Sequence, residues 1–188
     1  PQEGSGSNIT GYQREAKFSP DGKSLLTWWG FDSANTLHLW DLETGRDVFP
    51  PIRLNENTYD YRQVGNRIHL ATARRYLEID ADTGETLRER PTGANWNWRS
   101  ALSPDLRHLA FVPDPKTVSE SEAYVMAIDT GERVSSMPHE DTVRSLQFSP
   151  DGAILATSTG TNATVPMGKA YLWDWRTGSP LVPPMDMR

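Results

Sequence analysis

The sequence predicts an all-β protein assembled from four copies of one four-stranded antiparallel unit. Three observations carry this. A phrase recurs, cleanest as Phe18-Ser19-Pro20-Asp21-Gly22 leading to Leu39-Trp40-Asp41 and as Phe148-Ser149-Pro150-Asp151-Gly152 leading to Leu172-Trp173-Asp174, with two eroded copies between. The glycines that close the copies, Gly45, Gly84, Gly131 and Gly178, are spaced by 39, 47 and 47 residues, which brackets the length of one four-stranded propeller blade. The apolar runs after each turn have the length of strands, and no stretch carries a helical apolar stripe.

In the first copy the Ser-Pro-Asp turn precedes a strand at Ser24–Trp28, and a second strand, Leu37–Trp40, ends on Trp40-Asp41. A Thr44-Gly45 turn returns into the outer strand Arg46–Phe49. In the second copy Gln63-Val64-Gly65-Asn66 replaces the Ser-Pro-Asp turn, since Gly-Asn also makes a tight reversal. The strands Ile68–Thr72 and Tyr76–Ile79 and the turn Asp80–Gly84 follow. The third copy runs through Leu102-Ser103-Pro104-Asp105, His108–Val112 and Tyr124–Ile128. Aligned on Ile128-Asp129, its Thr-Gly turn is two residues short. The fourth repeats the first, and Val182-Pro183-Pro184 matches Phe49-Pro50-Pro51 as the end of an outer strand. The predicted boundaries are 1–7 (a linker or cloning remnant), 8–50, 51–92, 93–137 and 138–188, one blade for each segment after the first.

Ser-Pro-Asp-Gly turns followed by Trp-Asp and Thr-Gly resemble the WD-repeat β-propellers over about residues 8–188. The arrays look like bacterial ones, which often stand behind a kinase or other signalling domain. The third copy also resembles the Pro-Asp repeats of periplasmic propellers, the rival family. The resemblance makes Trp40, Asp41, His139, Trp173 and Asp174 structural repeat residues. In the family a His, a Ser or Thr, an Asp and the Trp share one buried network. Here the fourth copy has His139, Thr157 or Ser158, and Trp173 but no Asp, and the first has Trp40 and Asp32 but no His. The blades are therefore expected to rest mainly on apolar packing. Rings of this family usually have seven or eight blades, so four blades imply a segment of a larger ring. A two-chain ring and a closed four-blade ring are the alternatives.

Composition narrows the function. The 188 residues are 36% hydrophobic and 23% charged, with a net charge of -6 and a pI near 5.2, as in a folded soluble chain. No basic cluster offers itself to nucleic acid or to an anionic membrane, so neither is an expected partner. There is no cysteine, which excludes disulfides and thiolate metal sites. The chain begins at Pro1 with no visible signal peptide. A cytoplasmic location is expected, with the periplasm as the alternative if a signal precedes it.

No catalytic constellation is legible. His38, His69, His108 and His139 lack metal-ligand spacing. Asp21, Asp105 and Asp151 are turn formers, and Asp41, Asp80, Asp129 and Asp174 recur after a strand. Asp32, Asp60 and Asp114 stand isolated. No cofactor, metal or catalytic residue is expected, and the chain is read as a non-catalytic scaffold unless a fused domain supplies an activity.

The binding candidates are aromatic and cationic. Trp28 and Trp29 cannot share a strand face, while Trp96 and Trp98 alternate with Asn95 and Asn97. Four residues before the end of each first strand stand Arg14, Thr58, Trp98 and Arg144, placed at the rim of the central channel. With Trp96 these suit a protein or peptide carrying acidic or polar groups. The insertions Pro113–Glu122 and Gly160–Gly168 lengthen loops on that face. Further blades or a second chain are the other expected partners. The competing reading is a propeller enzyme or small-ligand binder completed by blades absent from this chain.

Overall fold

A computed structural model describes residues 12–31, 35–91, 99–113, 122–160 and 168–187, the side chains of 12–15 and 29–31 excepted. Every helix or strand among these residues is a strand, and the strands form four antiparallel sheets in chain order. The first holds β1 (Tyr12–Phe18), β2 (Ser24–Phe31), β3 (Thr36–Asp41), β4 (Arg46–Asp47) and β5 (Ile52–Arg53). The second holds β6 (Thr58–Val64), β7 (Arg67–Thr72), β8 (Arg75–Asp80) and β9 (Thr86–Pro91). The third holds β10 (Arg99–Leu102), β11 (His108–Val112), β12 (Glu122–Ala127) and β13 (Arg133–Pro138). The fourth holds β14 (Val143–Phe148), β15 (Leu155–Thr159), β16 (Gly168–Asp174), β17 (Ser179–Pro180) and β18 (Met185–Met187). The chain divides into two compact units: Pro1–Asn57 with Asp82–Gly84, and Thr58–Ala81 with Glu85–Arg188. The first contains the first sheet and the second the other three.

The proline pairs do not end the outer strands of the first and fourth sheets but interrupt them. β4 and β5 both pair with β3, on either side of Pro50-Pro51, and β17 and β18 both pair with β16, on either side of Pro183-Pro184. Proline has no N–H for the ladder, so pairing breaks there and resumes beyond. The first sheet consequently runs to Arg53, past the boundary placed at residue 50.

The three Ser-Pro-Asp turns are built alike. The serine hydroxyl donates to the aspartate carboxylate at 2.6, 2.6 and 2.5 Å (Ser19–Asp21, Ser103–Asp105, Ser149–Asp151). The same carboxylate accepts a backbone N–H two residues on, and the serine oxygen accepts one five residues on. One left-handed residue closes each turn: Gly22, Leu106 and Gly152, with φ of 70°, 59° and 70°. Leu106 takes a conformation costing about 1–2 kcal/mol for a side-chain-bearing residue, and its side chain packs against the core cluster containing Leu102 and Leu109.

Strand register corrects the third copy. Leu155 faces Trp173 across the fourth sheet, and its counterpart Leu109 faces Met126. Met126 therefore stands in the tryptophan position and Ala127 in that of Asp174. The turn is not shortened: Gly131 N–H bonds the Ala127 carbonyl at 2.8 Å, as Gly178 bonds Asp174 at 2.9 Å and Gly45 bonds Asp41 at 2.9 Å. Asp129 lies two residues beyond the Asp41 position, and matching on residue type concealed this.

Trp173 donates its indole N–H to Thr157 Oγ1 at 2.9 Å, and His139 Nε2 lies 2.7 Å from the same oxygen. Trp40 donates to Thr27 in the same diagonal geometry, also at 2.9 Å. Where the tryptophan is lost the threonine is lost with it. Ile79 stands with Leu70 in the second sheet and Met126 with Phe111 in the third, all buried. Each pair is internally consistent, either hydrogen-bonded or wholly apolar, because an orphaned buried hydroxyl or indole N–H is costly. Asp41 accepts both the N–H and the hydroxyl of Thr44 at 2.7 Å, with the hydroxyl bond first among the causes that hold its pKa below the usual carboxylate value. Asp174 accepts the Arg176 N–H at 3.1 Å.

Within the second unit the sheets stack face to face. Leu109, Phe111, Tyr124 and Met126 of the third sheet cluster with Ala71 and Tyr76 of the second. The opposite face, Ala110, Val112, Ala123, Val125 and Met137, meets Phe148, Leu155, Tyr171, Trp173 and Trp175 of the fourth. Alternate residues of β11 and β12 thus serve two different interfaces, and the third sheet is buried on both sides. In the first unit Leu26, Trp28, Leu37 and Leu39 are buried.

Thr157→Val keeps the shape of the side chain but orphans a buried indole N–H, and it is expected to cost about 1–3 kcal/mol in urea unfolding. Gly178 has φ of +70°, and a Cβ there would lie 2.5 Å from the Ser136 carbonyl oxygen on β13. Gly178→Ala should therefore lose about 2 kcal/mol or more, read as a lower thermal midpoint, whereas Gly131→Ala, with no atom within 4 Å of its Cβ, should lose less.

Candidate functional site

The first strands of the three sheets in the second unit line an open cleft of about 230 Å³. β6 contributes Tyr59, Asp60 and Arg62, β10 contributes Ser100, Ala101 and Leu102, and β14 contributes Leu146, Gln147 and Phe148.

Side chains staple the strands across the sheet boundaries. Asp60 accepts the Tyr61 N–H on one carboxylate oxygen at 2.7 Å and the Leu102 N–H of β10 on the other at 2.8 Å. Arg99 Nε donates to the Arg144 carbonyl of β14 at 2.6 Å. Asp60 and Arg99 occupy the same position in successive sheets by register, and each reaches the backbone of the next first strand. Charge-assisted bonds of this kind are stronger than neutral ones, and they satisfy backbone groups that no strand pairs with.

Two bulges set what this surface presents. Register shifts between Thr58 and Asp60 and between Val143 and Ser145 leave Tyr59 and Arg144 as the extra residues of β6 and β14. A bulge re-aims the side chain it carries. The β6 bulge also corrects the rim position. The second sheet turns through the two-residue Gly65-Asn66 reversal, so Gln63 stands where Phe148 does. The residue equivalent to Arg144 is thus Tyr59, not Thr58, which is buried.

Of the candidate binding residues, Arg144 is half-buried and directs Nε to the Gly160 carbonyl at 3.2 Å. Arg14 lies on β1 opposite Trp29. Trp96 and Trp98 lie outside the described residues, as do 114–121 and 161–167 of the two long insertions. Asp60, isolated in the sequence, is the staple described above. Arg62 and Ser100 had no sequence signal, because a single polar residue on a strand is indistinguishable from a solvated one until the neighbouring sheet is placed.

Ser100 is 7% exposed, and among the described residues its hydroxyl has no hydrogen-bond partner. Arg62, half-buried, lines the same cleft. Behind Arg62, opposite it on β7, His69 is buried and its Nδ1 lies 2.7 Å from the Tyr76 hydroxyl. Burial pushes the His69 pKa below 6.5, against a smaller opposing pull from Glu78, and pushes the Tyr76 phenol up. Outside them runs a charge ladder: Glu78 lies 3.6 Å from Arg67 and 3.5 Å from Arg88, and Arg88 pairs with Asp129 of the third sheet. Among the described residues no group of three His, Asp or Glu is placed to hold a metal ion.

The fold is similar to that of hydrazine synthase from Kuenenia stuttgartiensis, a propeller-containing protein, at a TM-score of 0.68 and 16% identity over 100% of this chain. The chain spans 53% of that structure, about half its length. At this identity the likeness shows the fold alone: four antiparallel sheets of the β-propeller type. No family model and no curated protein matches the sequence.

His69 supplies a pH test. The folded state favours its neutral ring, so the unfolded chain takes up the extra proton. The stabilisation is complete above pH about 6.5 and declines as the pH falls through the depressed folded pKa. Urea unfolding at pH about 7 and about 5.5 should show lower stability at the acid value, and His69→Asn should reduce that difference.

Proposed function

We propose that the chain is a non-catalytic WD-repeat module of the bacterial type that binds an extended protein or peptide segment along β6, β10 and β14, taking an acidic side chain at Arg62 and Ser100. The cleft carries the proposal: a buried serine hydroxyl without a partner among the described residues stands with an arginine in one concave lining. A buried polar group left unpaired costs about 1–3 kcal/mol, and a ligand carboxylate accepting from it would recover that cost. Asp60 lies in the same lining, but its oxygens are occupied by two backbone N–H groups, which lessens its repulsion of an anion. Guanidinium and hydroxyl donors suit a carboxylate, and Tyr59 adds an aromatic surface of the kind frequent at binding hot spots. The repeated Ser–Asp turns and the Trp–Thr bonds support the WD-repeat assignment.

The test is fluorescence anisotropy with a labelled peptide library in which one central residue is Glu or Gln. Glu peptides should bind more tightly. Arg62→Ala should weaken them by about tenfold and Ser100→Ala by about fivefold, with thermal midpoints that do not fall and, for Ser100→Ala, rise as the unpaired hydroxyl is removed. Equal binding of Glu and Gln peptides, indifferent to both substitutions, would overturn the acidic-peptide site.

A further inference from the structure

We infer that binding of an acidic side chain in the cleft is coupled to proton uptake at His69, so that mild acidification tightens the site. The inference rests on the acidic-segment reading of the cleft and adds its regulation. A rung of side chains across all four strands of the second sheet carries it: Arg62 on β6 stands opposite His69 on β7, His69 opposite Glu78 on β8, and Glu78 opposite Arg88 on β9. Residues directly opposite each other share a face of the sheet, with Cβ atoms about 4.5–5.5 Å apart. The rung thus leads from the cleft, which Arg62 lines, to the outer strand, with a titratable ring directly behind the arginine.

Charged and titratable groups face this ring from each neighbouring element. On β7 itself Arg67 shares the face, 3.6 Å from Glu78 and 2.7 Å from Asp80. From β6 come Arg62 and, on the diagonal, Asp60, whose oxygens hold the Tyr61 and Leu102 N–H groups. From β8 come Glu78 and, on the other diagonal, Tyr76. From β9 come Arg88, 3.5 Å from Glu78, and Arg90, opposite Tyr76. The third sheet adds Asp129, which pairs with Arg88, and Tyr124, which clusters with Tyr76. Tyr124 donates its hydroxyl to Glu122 at 2.6 Å and lies under the Arg133 guanidinium.

The ring is built to change charge in place. Its Nδ1 lies 2.7 Å from the Tyr76 hydroxyl, and a phenol hydroxyl donates to a neutral ring nitrogen or accepts from a protonated one. The contact therefore serves both states without moving the ring. Burial raises the Tyr76 pKa, so the phenol itself stays neutral. Before an anion binds, burial holds His69 neutral, Glu78 opposes this, and Arg67 and Arg88 reinforce it. A carboxylate held by Arg62 and Ser100 adds a negative charge on the same face. Such a charge favours the imidazolium, so binding raises the His69 pKa and takes up a proton. By reciprocity a lower pH raises the affinity for the carboxylate. A glutamine in the same place brings no charge and no coupling.

The probes are the tightest Glu peptide of the library and its Gln counterpart. Isothermal titration calorimetry at pH about 6, in buffers of different ionisation enthalpy, counts the protons taken up, and a Glu side chain with a reference pKa of about 4.3 is already ionised there. The Glu peptide should take up a fraction of a proton and bind about threefold more tightly at pH about 5.5 than at about 7.5. The Gln peptide should do neither. His69→Asn should abolish the uptake and flatten the pH profile. In the wild-type chain the NMR titration of the His69 ring should move to higher pKa with the Glu peptide and stay in place with the Gln peptide, a readout that needs no variant. Tighter binding of the Glu peptide with no proton uptake, with an unmoved His69 titration, or with a pH dependence that survives in His69→Asn overturns the coupling and leaves the cleft reading standing. Equal binding of the two peptides at both pH values overturns the acidic-segment reading and the coupling with it.

Discussion

Burial of one sheet's aromatic face against the small aliphatic face of its neighbour is the contact on which the second unit depends. Phe148, Leu155 and Trp173 are large; Ala110, Ala123 and Val125 are small; large against small lets flat sheets approach and interdigitate. A four-stranded sheet has two faces and no core of its own, so it is stable only when neighbours cover both. The third sheet meets this condition. Its strands read as nearly continuous apolar runs, because successive residues of β11 and β12 point into two different interfaces.

Hydrogen bonds within each sheet adapt to that packing. The Trp–Thr pairs of the first and fourth sheets and the Ile–Leu and Met–Phe pairs of the second and third are alternative solutions at one position. They are exchanged as units, since half an exchange would bury an unpaired donor or acceptor. Turn chemistry is separate from this choice. The third sheet keeps the hydrogen bonds of the Ser103–Asp105 turn although it has lost the tryptophan and has Leu106 in place of the turn's left-handed glycine. Local backbone bonding and inter-sheet packing therefore need not erode together: the third copy keeps the turn without the tryptophan, whereas the second, with Gly65-Asn66 and Ile79, has lost both.

The sequence showed four repeats, their strand order and their turns, because those depend on local spacing and on residues with special backbone behaviour. It misjudged two registers. The Met126 position was hidden because Asp129-Thr130-Gly131 imitates the Asp-Thr-Gly end of its neighbours while lying two residues out of step. The Tyr59 position was hidden because the Gly65-Asn66 reversal is shorter than a Ser-Pro-Asp turn and a bulge adds a residue to β6. The prolines of the outer strands were recognised as in phase, but whether they end a strand or interrupt it depends on pairing beyond them.

The candidate site was less legible than the fold. Arg144 was found from its place in the repeat, but its link to Gly160 and its carbonyl's bond to Arg99 are contacts between separate segments. Asp60, Arg62 and Ser100 acquire meaning only where three first strands converge. By itself the sequence determined the blade as a unit, because β-strand alternation, turn residues and the repeat period are short-range properties. Tertiary structure alone decided which polar residues face one another across sheets and which apolar faces of the second unit meet. Both are set by the stacking of segments about 40 residues apart, and no local spacing encodes that proximity.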